Sequence, residues 1–267
     1  MRQRLALLLA PAVLAIAAQT SSAQTPAQVL APTGTLRVIF LGMNPVQGRM
    51  DPQTGKATGP VPEIAEALAK KLGVPLKIMS SPNAAGIASA LDRNEADVGV
   101  LAYDVERTKD VDYGAPLLVM FNSYLVKRDS PIKRTADVDR AGVTVAAVRG
   151  QTQELYVSSH LKNAKVRVFD TMPPQADVEK LLLDGGPGGV DVFAINRQRS
   201  LDAQAESGRR LRALDDSFLE VEQSFVVKKG DRSKLPALAA FAAEARTSGL
   251  VKQSIARAKL TGVDVAK

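Results

Sequence analysis

The chain contains no cysteine, no tryptophan and a single histidine, and only 4% of its residues are aromatic. Without cysteine it can form no disulfide, no thiolate metal site and no cysteine nucleophile. A nucleic-acid-binding surface needs aromatic stacking platforms within a positive patch, and here aromatics are scarce and basic residues are dispersed. We therefore expect no nucleic-acid partner and a fold held together by core packing alone.

The first 23 residues are typical of a cleavable export signal. Arg2 and Arg4 precede an apolar run over 5–18 that is too short for a comfortable membrane span. The segment 21–23, Ser-Ser-Ala, supplies small residues for a cleavage site. We expect cleavage after Ala23 and a periplasmic protein, with an uncleaved anchor as the alternative. The formal charge falls from +7 to +5 when the two arginines leave. Such a charge favours anionic ligands or merely serves solubility.

Residues 34–101 alternate between strand and helix signals. Short β-branched runs are separated by segments whose apolar residues recur every three or four positions. Pro62 lies in the first turn of one helix and Gly73 ends it. The predicted strands are 34–41, 76–79 and 97–101, and the predicted helices are 61–72 and 84–94. The alternation predicts a parallel α/β sheet, whose ligands lie beyond the carboxyl ends of its strands.

The middle of the chain repeats this pattern. The predicted strands are 143–148, 165–169 and 190–195, the predicted helices are 152–161 and 174–183, and a glycine-rich loop covers 185–189. Two alanine-rich helices follow between 235 and 258, broken at Gly249. We expect these two to pack on the first part of the chain.

Two segments a hundred residues apart are closely similar, Ser123–Ser130 and Ser224–Asp231. Each is a strand-like run closed by basic residues and a turn. If the two run side by side, they join two lobes through a hinge, and a hinge forms a cleft that can close on a small molecule. This predicts lobe 1 over 34–122 plus 226–267 and lobe 2 over 129–222. The predicted crossings are 123–128 and 223–225.

A series of short motifs carries a family resemblance over about residues 34–259. The motifs are Gly34–Val38, Ile64–Leu68, Glu95–Val98, Glu106-Arg107, Val111–Tyr113, Pro116, Asp137-Val138, Gly142–Val145 and Gln151–Glu154. Their order resembles that of the periplasmic solute-binding proteins of the polar amino-acid ABC transporter family, solute-binding protein family 3.

The resemblance implies a two-lobed α/β fold of the type II periplasmic-binding-protein class, with paired hinge strands. It also implies no cofactor and no metal. The expected partners are a small polar carboxylate and the permease of an ABC transporter in the inner membrane. We expect the binding protein itself to be a monomer.

Arg107 stands where this family has its carboxylate-binding arginine. A guanidinium meets a carboxylate with two charge-assisted hydrogen bonds, which suits that role. The alternative is a structural ion pair with a nearby acid, since Asp104, Glu106 and Asp110 are close in sequence.

Thr152 falls at the predicted start of a helix in lobe 2. Backbone N–H groups and the helix dipole make such a start an anion site, and the family's matching threonine region holds the ligand carboxylate. Simple N-capping is the alternative role. Gln151, in the same turn, is a further expected ligand contact.

The departures from the family pattern bear on the ligand. The aspartate that pairs with an amino acid's ammonium is replaced by Asn196, and an amide lacks that charge. The aromatic residue that stacks on the ligand in this family is missing near Asn44, and Asn44 is an expected ligand contact. Tyr103 could replace that aromatic contact, or it could lie in the core or at the rim. Arg149 and Arg197 border the lobe 2 contacts, as ligand contacts or as exposed side chains. We expect a small carboxylate, with amino-acid binding still open through Asp104.

Two other functions use the same fold. A cyclohexadienyl-dehydratase-like enzyme needs an acid or base over the ligand. His160 lies late on a polar helix and is expected to be exposed, and Glu154 lies in the first turn, where it favours the helix dipole. We therefore expect no enzyme. A sensing module for a membrane receptor would close in the same way, and the sequence does not separate sensing from transport.

Overall fold

The computed structural model describes residues 24–184 and 188–267. The predicted export signal and residues 185–187 of the glycine-rich loop lie outside the described residues. The strands are β1 (Leu36–Leu41), β2 (Arg49–Met50), β3 (Ala57–Thr58), β4 (Leu76–Ser81), β5 (Val98–Ala102), β6 (Val111–Lys127), β7 (Thr144–Val148), β8 (Lys165–Phe169), β9 (Val192–Asn196), β10 (Leu211–Ala213), β11 (Leu219–Lys228) and β12 (Val263–Val265).

The helices are α1 (Pro26–Leu30), α2 (Pro60–Leu72), α3 (Ala84–Asp92), α4 (Thr152–His160), α5 (Gln175–Asp184), α6 (Arg197–Glu206), α7 (Leu235–Thr247) and α8 (Leu250–Arg257). Helix α2 has proline in its first turn and ends at Gly73, which takes the left-handed conformation with φ of 69°. Its buried face carries Ile64, Ala65 and Leu68, at the spacing from which the helix was predicted.

One ten-stranded sheet runs through the molecule in the order β4-β1-β5-β11-β6-β9-β7-β8, with β10 and β12 also paired to β6. Strands β4, β1 and β5 are parallel to one another, and so are β9, β7 and β8. The predicted α/β alternation in each part of the chain is confirmed. Between the two parallel parts lie β11 and β6, which are antiparallel to each other.

The hydrophobic core is divided into four clusters, two for each end of the sheet. Two clusters draw on β1, β5, the first part of β6, α2, α3, α7 and α8. The other two draw on the last part of β6, β7, β9 and helices α4, α5 and α6. We call these two groups of elements lobe 1 and lobe 2. Along β6, the lobe 1 clusters end at Met120 and the lobe 2 clusters begin at Tyr124. The fold is thus the expected two-lobed type II α/β fold, and the C-terminal helices pack on lobe 1.

The pairing predicted for the two similar segments is wrong. Ser123–Val126 pair with β9, whereas Ser224–Lys228 pair with Pro116–Val111 in lobe 1. The strands that contain the segments do run side by side, through 111–122 and 219–228. Both similar segments lie at the carboxyl ends of their strands, β6 and β11. Because these strands are antiparallel, the carboxyl end of one lies opposite the start of the other, so the two segments cannot pair with each other. The predicted lobe and crossing boundaries stay predictions.

The sequence patterns missed several elements, of which β6 and α6 bear most on the relation between the lobes. Strand β6 spans 17 residues, although only its last part was predicted as a strand. Helix α6 is polar over most of its length and has no clear apolar face, so periodicity gave no signal for it. Within 24–184 and 188–267, no helix is both long and apolar enough to cross a membrane.

Candidate functional site

The register of the central strands defines a gap between the lobes. Strand β5 ends at Ala102, opposite Gln223 of β11, which lies opposite Leu118 of β6. Strand β9 ends at Asn196, opposite Asn122 of β6. Strands β5 and β6 are parallel, since both are antiparallel to β11, and β9 is antiparallel to β6. The carboxyl ends of β5 and β9 therefore point toward each other, about 13 Å apart along β6 at ~3.3 Å per residue.

The floor of this gap is the face of β6 and β11 that carries Met120 and Asn122. Polar side chains reach it from both lobes. The amide of Asn44, in the loop after β1, lies 4.0 Å from the Met120 sulfur. From lobe 2, the Gln153 amide nitrogen donates to Asn122 Oδ1 at 2.5 Å. One loop after a strand and one helix start thus converge on one place. We call this gap the cleft.

Arg107 bridges the cleft. It lies in a single 3₁₀ turn, Val105–Lys109, just after β5. Its Nη1 donates to the Ala102 carbonyl at 2.9 Å, and its Nη2 donates to the Gly150 carbonyl of lobe 2 at 2.8 Å. The ion pairs formed within the described chain do not include Arg107, so the alternative of an ion pair with Asp104, Glu106 or Asp110 is not realised.

Tyr113 supports the same corner of the cleft. Its hydroxyl donates to the Ala102 carbonyl at 2.7 Å, beside the Arg107 guanidinium. Burial raises the pKa of this hydroxyl, and the nearby positive charge of Arg107 opposes the rise. Tyr103, half exposed, meets the Tyr113 ring edge-on, with ring centres 5.0 Å apart. Tyr103 thus lies at the rim of the cleft, next to the arginine.

Helix α4 begins opposite Arg107. Its N-cap is Gln151, which is exposed and makes no side-chain capping bond, so Thr152 is the first helical residue and not the cap. Thr152 is buried. The first N–H groups of a helix lack intrahelical partners, so this end offers several donors and a positive dipole to the cleft.

Asn196 has a structural role that the sequence did not reveal. It ends β9 and caps α6, and its Oδ1 accepts a hydrogen bond from the Arg199 N–H at 2.8 Å. On the other side, Asn44 Oδ1 accepts from the Val46 N–H at 3.2 Å and stabilises the loop after β1. Both asparagines lie at strand ends that face the cleft, and both use a side-chain oxygen to shape the backbone.

The remaining predicted arginines are engaged elsewhere. Arg149 forms an exposed ion pair with Asp170 at 2.7 Å, and this hydrogen bond raises its pKa. Arg197 donates to the carbonyls of Leu214 and Asp215 at 2.8 and 2.6 Å, which holds that loop against α6. Neither side chain meets Arg107 or Thr152, and their role as ligand contacts stays a prediction.

Comparison with known proteins identifies the family of this fold. The model of the family described as bacterial extracellular solute-binding proteins, family 3, matches residues 36–258. The chain belongs to this family.

Three relatives illustrate the likeness. The chain is 28% identical over 217 residues to the L-cystine-binding protein of Escherichia coli K12, covering 80% of this chain and 77% of that protein. An ancestral arginine-binding protein bound to glutamine shares 26% identity and a TM-score of 0.68, over 86% of this chain and 98% of its own. The L-cysteine solute receptor of Neisseria gonorrhoeae, 20% identical, shares the fold alone, with a TM-score of 0.72 over 90% of this chain and 99% of its own.

These relatives support a solute-binding role for the chain, and their names describe binding or receptor proteins and not enzymes. His160, as expected, lies exposed on α4, where it stacks on Tyr156 with ring centres 4.0 Å apart. No group of three or more His, Asp or Glu side chains suited to a metal ion occurs in the described parts of this binding protein.

Buried amides at the cleft floor are the residues that sequence reasoning missed. Gln153 and Asn122 are 3% and 0% exposed, and Gln153 Oε1 has no hydrogen-bond partner in the described structure. Closer to lobe 1, Gln47 donates to Gln223 Oε1 at 2.8 Å, and Gln223 Nε2 has no partner there either. Buried polar atoms are nearly always paired, so these two stand out. Only the position of Gln153 directly after Thr152 could have drawn attention to it.

Two cavities lie outside the Arg107 corner. The larger, ≈620 Å³, lies between β8 and α5 in lobe 2 and does not touch the strand ends that form the cleft. The smaller, ≈460 Å³, lies between the lobes and is bordered by Arg49 of lobe 1 and by Gln198 and Asp202 of α6.

Proposed function

We propose that this protein is the extracytoplasmic binding component of an ABC transporter and captures a small carboxylate, amino-acid-like or an organic acid. The mature protein acts in the periplasm as a monomer, after loss of its export signal, and presents the closed form to an inner-membrane permease. The family, and relatives named for binding cystine and glutamine, support this proposal.

The observation that carries the proposal is Arg107. A guanidinium has five N–H donors, and here two of its nitrogens bond to backbone carbonyls on the two sides of the cleft. With no carboxylate of the described chain paired to it, its charge is available to a ligand. We propose that a ligand carboxylate lies between Arg107 and the start of α4, where Thr152 and the first N–H groups complete its hydrogen bonds.

Gln153 and Asn196 determine which polar groups the ligand can carry besides its carboxylate. Asn196 supplies no negative charge, and its Oδ1 already caps α6. We propose that Gln153 Oε1, buried and without a partner, accepts a hydrogen bond from a ligand N–H or O–H. A neutral acceptor tolerates an amide or hydroxyl better than an ammonium, whose charge it cannot balance.

A thermal-shift screen tests the proposal. It would compare amino acids, including L-cystine and L-cysteine, with their deaminated analogues and with dicarboxylates. A ligand that binds only the native state raises the melting temperature. For the best hit, we expect Arg107→Ala to weaken binding by about 2 kcal/mol or more, as a desolvated carboxylate loses its charged partner.

The control is Arg128→Ala, which removes an exposed arginine outside the cleft. We expect its affinity to stay close to that of the parent in calorimetry. Equal affinity of the Arg107 variant and the parent would remove Arg107 from the site. Turnover of the hit would favour the enzyme alternative.

A further inference from the structure

A second arginine lies at the lobe 2 side of the cleft. Arg199 is the third residue of α6 and is half-buried. Its Nη2 donates to the Met43 carbonyl, in the loop after β1, at 3.3 Å. Like Arg107, it follows a strand whose carboxyl end faces the cleft, and it reaches a carbonyl of the opposite lobe. Within residues 24–184 and 188–267, it forms no ion pair with a carboxylate.

The surroundings of Arg199 are unfavourable for a cation. Burial lowers its pKa, and the like charge of Arg49 lowers it further, while Asp202 and Glu206 act in the opposite direction from farther along α6. The first turn of a helix also carries the positive end of the helix dipole, which disfavours a cation there. Three positive contributions, from Arg199 itself, from Arg49 and from the helix dipole, thus meet beside the cleft, and the guanidinium has a carbonyl as its only described partner. An anion at this position would relieve all three.

The sheet fixes the spacing between Arg199 and Arg107. Strands β5 and β9 are three interstrand steps apart, through β11 and β6, which is about 14 Å at ~4.8 Å per step; with the offset of about 13 Å along β6, their ends are about 19 Å apart. Both arginines are long and extend into the gap from opposite lobes, so their guanidinium groups can hold the two ends of one small molecule.

We infer that Arg199, assisted by Arg49, binds a second anionic group of the ligand, so that the preferred ligand class is a small diacid. One carboxylate lies at Arg107 and the second acid group lies at Arg199. Dicarboxylates and amino acids with a further acid group belong to this class, and so does L-cystine, which has two carboxylates. This inference rests on the proposed function, because it assumes that Arg107 holds the first carboxylate.

The test uses ligand pairs that differ by one charge at nearly constant shape. Succinate, glutarate and adipate are each compared with their monoamides, and L-glutamate with L-glutamine, by calorimetry on the mature protein. We expect the diacid of best length to bind about tenfold or more tightly than its monoamide, since a charge-assisted bond is lost in the amide. Arg199→Gln is expected to remove most of that difference and to leave the monoamide within about twofold.

Two further variants make the result specific. Arg128→Gln removes one exposed positive charge outside the cleft and controls for the overall field of the protein. We expect its diacid preference to equal that of the parent. Arg49→Gln is a second probe of the same subsite if Arg199→Gln folds poorly, with a smaller expected loss of about threefold.

The outcomes separate the two proposals. If diacids and monoamides bind equally while both depend on Arg107, the second subsite is wrong and the proposed function stands. If Arg199→Gln weakens both ligands of a pair equally, Arg199 only joins the lobes and the subsite is again wrong. If no carboxylate of any kind binds, both the subsite and the proposed function fail.

Discussion

At the residue scale, Asn196 is the most informative departure from the family pattern. It ends a strand that faces the cleft, where the family's ammonium-binding aspartate stands, yet its Oδ1 caps α6. Asparagine and aspartate are about equally good N-caps, so Asn196→Asp should fold normally. In the proposed site, the new carboxylate would bring a negative charge close to the ligand. We expect the variant to shift preference toward ligands that carry an ammonium group, by about tenfold.

The measurement is a ranking of amino acids against their deaminated analogues by calorimetry, for the parent and the variant. Asn44→Asp is a useful comparison, because it introduces the same charge at the β1 side of the cleft. An unchanged ranking in Asn196→Asp would mean that residue 196 does not face the ligand.

A second residue-scale prediction concerns stability. Asp112, at the start of β6, is buried and accepts hydrogen bonds from the Gly230 N–H at 2.8 Å, from Lys229 at 3.0 Å and from Arg232 at 3.3 Å. Burial alone would raise its pKa, but these donors outweigh it and lower the pKa to about 2. We expect Asp112→Asn to lower the free energy of unfolding at pH 7 by about 1–2 kcal/mol.

The sign of the pH dependence follows from the lowered pKa. The charged form is favoured in the folded state, so the stabilisation is complete above the ordinary pKa of 3.8 and is lost as the pH falls toward 2. Urea unfolding at pH 7 and at pH 3 should show the parent and the variant converging at the lower pH. Asp129→Asn, at an exposed ion pair with Lys127, is the control and should change little. A gap that widens on acidification would contradict this account.

At the element scale, the break between α7 and α8 depends on Gly249. Its φ of 81° lies in the left-handed region, and an added Cβ would touch only the end of Gln253. The expected cost of Gly249→Ala is therefore conformational, about 1 kcal/mol in the free energy of unfolding. Gly249→Asn should cost less, because asparagine tolerates this region better. Equal stabilities of the alanine variant and the parent in chemical unfolding would show that the break does not require glycine.

Several motifs on which the family resemblance rests have a structural role and join neighbouring strands. Arg37 of β1 contacts Asp97, just before β5, through two side-chain bonds of 3.0 and 2.6 Å, and its backbone N–H donates to the same carboxylate at 2.9 Å. Asp97 is 1% exposed, so this pair joins the two strands below the surface. Such motifs predicted the fold well because their residues form the contacts between its strands.

At the scale of the whole molecule, the two lobes are joined by strands β6 and β11 and by side chains that reach across the cleft. Arg107 bonds to lobe 2 and Arg199 to lobe 1. Both bonds require the lobes to be close together. A ligand that binds the closed form more tightly than the open form shifts the population toward closure.

We therefore expect the radius of gyration, measured by small-angle X-ray scattering, to fall when a saturating ligand is added. Arg107→Ala at the same ligand concentration should compact less, because it loses both the carboxylate contact and the bond to Gly150. A radius unchanged by a ligand that calorimetry shows to be bound would rule out closure as the response to binding.

The sequence by itself predicted the strand and helix alternation, the return of the C-terminal helices, and the positions of Arg107 after a strand and of Thr152 at a helix start. These features rest on local signals, such as apolar periodicity and helix-ending glycines, or on motifs of fixed spacing. The helix without an apolar face, α6, gave no such signal, and the similarity of two strand ends suggested a pairing that their antiparallel register forbids.

Only the tertiary structure decided which side chains share the cleft. Arg107 and Gly150 are 43 residues apart, Arg199 and Met43 are 156 apart, and Gln153 meets Asn122 across the lobe boundary. Such contacts depend on strand order and register, which arise from packing between distant segments. This packing produces no periodic pattern in the amino-acid sequence. For the same reason the unpartnered amide of Gln153 and the unpaired charge of Arg199 became visible only in the folded molecule.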